Sequence, residues 1–148
     1  MGDLPKALSA YQRALAAQEA LGDRYGAART LLGLGVAHNQ RGDHAKALAT
    51  YERALAVQEA VGDRGAAAMT VCNLGVVHFG LGDPAKALAF FERALAAQEA
   101  VGDKASFATT LGNIANAHVA LGDFASALAF SERARAAWLA LGDRERAG

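Results

Sequence analysis

Three histidines, His38, His78 and His118, stand forty residues apart, and a fourth, His44, follows the first closely. Regularly spaced imidazoles suit metal ligation, in which a neutral ring nitrogen gives its lone pair to a cation such as zinc. The single thiol, Cys72, would act as a nucleophile only where a nearby cation favours the thiolate. Arginines recur at Arg13, Arg53, Arg93 and Arg133, a charge ladder that could meet an acidic partner. The stretch LLGLGVAHNQ from Leu31 carries two glycines, as a phosphate-cradling loop would.

Each of these signals weakens against its surroundings. Equivalent histidines on successive helix pairs would lie roughly 10 Å apart, while a zinc–nitrogen bond is about 2 Å. His44 has no second ligand at a suitable spacing, and Cys72 has no basic residue three or four positions away. The two glycines fall inside a helical pattern, not between a strand and a helix. Arg53, Arg93 and Arg133 each follow a glutamate (Glu52, Glu92, Glu132), which fits a solvated face better than an anion site. No nucleophile–base–acid set and no paired carboxylate is visible. The sequence therefore leads us to expect no catalysis, no metal and no cofactor.

Composition bounds the remaining choices. The 148 residues suit one ordinary domain, and 15 Lys+Arg balance 15 Asp+Glu. A net charge of zero argues against a nucleic-acid binder, which needs a clustered positive field. Hydrophobic residues make up 53%, much of it alanine, with 7% aromatics and two prolines, a helical composition. One cysteine excludes an internal disulfide. No run of 18 apolar residues occurs, and the opening MGDLPKALSAYQR lacks a signal peptide's apolar centre. These features lead to the expectation of a soluble, cytoplasmic chain with no membrane partner.

The elements follow from an internal repeat. Gly-Asp falls at residues 2, 22, 42, 62, 82, 102, 122 and 142, and whole segments recur at forty: DHAKALATYERALAVQEAVGD from Asp43 returns as DPAKALAFFERALAAQEAVGD from Asp83. Within the first of these, Ala47, Tyr51, Ala54, Gln58 and Val61 form a helical stripe. Glycine can close one helix in the left-handed conformation, and the aspartate can cap the next. Each twenty-residue block thus predicts one helix of 17–18 residues, antiparallel to its neighbours. Small residues mark where paired helices approach closest: Gly35 with Ala47 and Ala54, Gly75 with Ala87 and Ala94, with Tyr51 and Phe91 filling the flanks.

This pattern resembles the tetratricopeptide (TPR) repeat. Counting from Ala28, the signature positions are Leu31, Leu34, Gly35, His38, Gly42, Ala47, Tyr51 and Ala54. The second copy offers Val71, Leu74, Gly75, His78, Gly82, Ala87, Phe91 and Ala94, and the third Leu111, Ile114, Ala115, His118, Gly122, Ala127, Ser131 and Ala134. The forty-residue period is longer than the common one and is similar to arrays of the Pins/LGN type, kinesin light chains and bacterial TPR proteins. Histidine stands where the family packs a tyrosine, which favours packing over ligation. The resemblance implies an all-α, right-handed superhelical solenoid of antiparallel helix hairpins, about 3.5 repeats and seven helices. As one array over 1–148, it divides into a half repeat (2–22), repeats at 23–61, 62–101 and 102–141, and the start of a truncated repeat at 142–148.

The resemblance also implies a concave groove lined by the first helix of each repeat, which binds a peptide or protein segment. Its positions are Arg29, Leu32, Gly33, Val36, Asn39 and Gln40, then Met69, Cys72, Asn73, Val76, Phe79 and Gly80, then Thr109, Gly112, Asn113, Asn116, Val119 and Ala120. Carboxamides such as Asn73, Asn113 and Asn116 could hold an extended peptide backbone. The clamp by which some TPR domains hold acidic chaperone tails needs basic residues where Leu32, Thr109 and Asn113 stand, so that ligand is excluded. Trp138, Leu139 and Leu141 on the last full helix suggest a different use: a homo-oligomer joined through its end helices. A piece of a longer array, such as a sensor segment of a larger bacterial regulator, is the third expectation.

Overall fold

The computed structural model describes residues 3–147, with side chains for residues 3–142. The described residues form seven helices and no strand: α1 (Leu4–Leu21), α2 (Arg24–Gln40), α3 (His44–Val61), α4 (Arg64–Gly80), α5 (Pro84–Val101), α6 (Lys104–Ala120) and α7 (Phe124–Ala147). The predicted all-α repeat fold is what forms. Contacts divide the chain into two units, one ending at Thr70 and the other beginning at Val71, so the boundary falls inside α4. In the first, α1 packs on α2 and α2 on α3; in the second, α5 packs on α6 and α6 on α7.

The Gly-Asp junctions work as their chemistry requires. Gly22, Gly62 and Gly102 sit at φ 72°, 77° and 76°, where a side chain would be strained. At the first, the Gly22 and Asp23 amides return to the Glu19 and Gln18 carbonyls at 3.2 and 2.9 Å. The Asp23 carboxylate then accepts from the Gly26 amide at 2.9 Å, and Asp63, Asp83, Asp103 and Asp123 cap their helices likewise. Asp43 makes no such bond and instead lies 3.5 Å from Lys46. Hydrogen bonds from the Ser106 and Ser126 side chains and amides hold Asp103 and Asp123 below the usual carboxylate range.

The last junction behaves differently. Gly142 is helical and α7 runs through it to Ala147, so the expected break at 142 does not form. Glycine inside a helix costs only about 1 kcal/mol relative to alanine. Gly2 of the first Gly-Asp pair lies outside the described residues.

The hairpin core rests on close packing. Tyr51 and Phe91 are 2% exposed, and each ring lies directly over a glycine of the preceding helix rather than on its flank. A Cβ on Gly75 would sit 2.7 Å from Phe91 Cε1 and 3.2 Å from the Ala87 carbonyl, and one on Gly35 would collide with the Tyr51 ring. Burial lifts the Tyr51 phenol to about 12, leaving it a neutral packing group. The third repeat exchanges the sizes, with buried Ala115 in the glycine's place and exposed Ser131 in the ring's.

A second recurring contact is polar. Gln18 and Thr30, Gln58 and Thr70, and Gln98 and Thr110 each meet at 2.7 Å, tying the end of one helix to the middle of the next. Both members of the last two pairs are 2% exposed or less. The Gln18 amide nitrogen is best placed toward Thr30, where it also reaches the Gly26 and Ala14 carbonyls at 3.2 Å.

These contacts predict opposite signs for two similar substitutions. Gly75→Ala gains helix propensity but strikes Phe91, and it should lose about 1–3 kcal/mol in urea unfolding. Gly112→Ala meets nothing within 4 Å and should gain roughly 0.5–1 kcal/mol. In a double-mutant cycle, Thr110→Val alone should cost about 1–3 kcal/mol by stranding the Gln98 carbonyl, and adding Gln98→Leu should recover most of it.

Candidate functional site

The expected groove positions lie on α2, α4 and α6, and each helix divides them by burial. In the first unit, Arg29, Val36 and Gln40 of α2 are exposed, as is Met69 of α4. Leu32 is half-buried against the core formed by Leu8, Leu31 and Leu34. Arg29, Leu32 and Met69 come together on one pocket of about 530 Å³, walled also by Tyr25, Gln58 and Val61. Two expected positions are not free. Tyr11 covers Gly33, whose Cβ would lie 2.7 Å from the ring. Asn39 turns toward the following helix, where its Oδ1 accepts from His44 Nδ1 at 3.0 Å.

In the second unit, Val76, Phe79, Thr109, Asn116 and Val119 are exposed, and Asn73 and Asn113 are half-buried. Gly80 and Ala120 are exposed at helix ends, and Gly112 is half-buried. The Thr109 hydroxyl donates within its own helix to the Ala105 carbonyl at 3.1 Å. Asn113 belongs to a polar chain. Its Nδ2 donates to Cys72 Sγ at 3.5 Å, Cys72 lies 3.5 Å from Thr110 Oγ1, and Thr110 donates to Gln98 Oε1. A hydroxyl has one hydrogen, so the Cys72 thiol is the donor to Thr110. Asn113 therefore keeps its carbonyl and one N–H for an incoming peptide.

Cys72 is 8% exposed and spent on this chain. The histidines pack: His78 stacks on Phe90 with centroids 5.2 Å apart, and His118 on Phe130 at 5.5 Å. His118 Nδ1 also lies 3.8 Å from Asp123. Among the described residues no three His, Cys, Asp or Glu gather as metal ligands, and no helix is long and apolar enough to cross a membrane. Arg53 spends its charge on Glu19 at 2.8 Å, and Arg133 lies 5.2 Å over the Phe130 ring.

The expected end-helix residues differ in exposure. Trp138 and Leu139 are 49% and 58% exposed, while Leu141 is half-buried and lines a separate pocket of about 690 Å³ with Phe107 and Ala137. Sequence reasoning missed Tyr25, Gln58 and Val61 as pocket walls, and the Gln–Thr pairs altogether. The recurrence of Gln at 18, 58 and 98 with Thr at 30, 70 and 110 was the available signal.

Known proteins agree with this geometry. The family model described as tetratricopeptide repeat matches residues 1–60 and 64–140. No curated protein matches in sequence. Among solved structures, BtubC (BKLC) from P. vanneervenii is 26% identical with a TM-score of 0.86 over 95% of this chain. The apo form of RapI is 18% identical with a TM-score of 0.84 over 95% of the chain. The kinesin light chain-type TPR-like repeats of Podosopora anserina are 18% identical with a TM-score of 0.75 over 96% of it. The chain spans 59%, 51% and 70% of those three proteins. With the family model covering nearly every residue and the helix pairs packed as its signature requires, the chain belongs to the tetratricopeptide repeat family.

Proposed function

We propose that the protein is a non-catalytic interaction scaffold that binds a peptide or protein segment on the exposed faces of α2, α4 and α6. One observation carries this reading. These helices bury one stripe and still expose large apolar side chains: Val36 and Met69 in the first unit, Val76, Phe79 and Val119 in the second. The outer faces of α3 and α5 show alanine and charge instead, with Val101 at the end of α5 the one large apolar residue exposed among their described residues. Apolar groups kept in water along α2, α4 and α6, beside carboxamides that can pair with backbone, suit an extended peptide.

The double variant Val76→Ser/Phe79→Ser tests the reading. A fluorescein-labelled peptide enriched from a random display library on the wild-type chain should lose at least about tenfold in affinity by fluorescence anisotropy. The urea midpoint should shift by no more than about 0.5–1 kcal/mol, because both side chains lie outside the core. Unchanged affinity would refute the assignment. Asn116→Ala is the cleaner carboxamide variant, since removing Asn113 also breaks the link to Cys72.

A specific feature of α7 favours a second reading, self-association. Trp138 stands where the other repeats carry the pairing glutamine, and Leu139 where they carry Glu19, Glu59 and Glu99. With Phe124 and Leu128 they leave large apolar side chains on α7 in water. If this face joins two copies, sedimentation velocity on a concentration series should show a dimer that Trp138→Ala returns to monomer. A strict monomer at high concentration would end the second reading and leave the first intact.

A further inference from the structure

The pocket of the first unit has a charge pattern that the other repeats do not reproduce. Its volume of about 530 Å³ falls in the range of ligand sites, about 300–1,000 Å³. Leu32, Val61 and Met69 supply an apolar wall, and Tyr25 closes one side, its hydroxyl donating to the Val61 carbonyl at 3.3 Å. Gln58 forms part of the wall at 1% exposure, and its amide nitrogen has no hydrogen-bond partner. Arg29 is the cation on this wall. Forty and eighty residues on, its position holds Met69 and Thr109, and Tyr25's holds Gly65 and Ala105.

The other ionised group here, Asp63, is already engaged. Its carboxylate caps α4 by accepting from the Ala66 amide at 3.2 Å. Arg29 has no such engagement: it is exposed on α2, and no carboxylate of the described residues lies within ion-pair distance of it. A guanidinium beside an apolar recess recognises a carboxylate next to an apolar group.

We infer that this pocket is an anchoring subsite for a peptide that inserts an apolar side chain and sets the carboxylate of an adjacent aspartate or glutamate against Arg29. The inference rests on the peptide-binding reading above and adds the ligand's sign of charge and the place where it is read. It does not require the two-carboxylate clamp excluded by Leu32, Thr109 and Asn113, because one cation reads one carboxylate.

The test is a random heptapeptide display selection on the full wild-type chain and on Arg29→Gln, followed by anisotropy with labelled peptides from the enriched pool. Both proteins are first checked for equal helicity by circular dichroism. Wild type should enrich acidic residues next to an apolar one, and Arg29→Gln should not. Replacing the acid of an enriched peptide by its amide should weaken binding to wild type by about tenfold or more and leave binding to Arg29→Gln nearly unchanged. Peptides lacking acid preference, yet weakened by Val76→Ser/Phe79→Ser, would overturn this inference and spare the scaffold reading. A preference for basic peptides would also overturn it, with Asp63 as the reader. Failure to enrich any peptide would overturn both.

Discussion

The approach of an aromatic ring to a bare helix backbone governs this structure. Phe91 over Gly75 and Tyr51 over Gly35 bring two helices closer than side chains on both would allow, and the alanines at 47, 54, 87 and 94 keep the rest of the seam equally thin. Dispersion falls steeply with separation, so the stabilisation depends on nothing intervening at those points. A thin seam also means that one pair cannot bury all of its own apolar surface. Each second helix must turn its remaining face to the helix that follows, and this makes the fold a repeat.

The Gln–Thr pairs give that outward contact its register. An apolar stripe of alanines would slide with little penalty, whereas a buried amide and hydroxyl 2.7 Å apart permit one alignment. In the second unit the same pair extends through Cys72 to Asn113. The packing core and the surface proposed for recognition are thus joined by hydrogen bonds, and the orientation of Asn113 is set from within. Positions on the proposed surface that lack such ties, Val76, Phe79 and Asn116, are the ones free to adapt to a ligand.

The sequence made most of the fold readable, because each junction is a local event: glycine supplies the left-handed turn and aspartate the cap, whatever lies further away. One junction departs from this pattern: Gly142 has the same chemistry as Gly102, yet α7 runs through it. The candidate surface was half legible. Of the positions carried over by resemblance, Val36, Met69, Val76 and Phe79 are exposed, but the resemblance could not show that Tyr11 covers Gly33 or that Asn39 pairs across the turn with His44. In the sequence Gln58 is one more member of a helical stripe. Only the structure shows it buried against Thr70 and forming a pocket wall.

Hydrogen–deuterium exchange of the full chain, with and without a peptide enriched from a display library, tests the central claim most directly. The account predicts added protection along α2, α4 and α6, with α3 and α5 unchanged on their outer faces. Protection confined to α3, α5 or α7 would contradict it, because the exposed apolar residues of the first-type helices would then have no part in recognition.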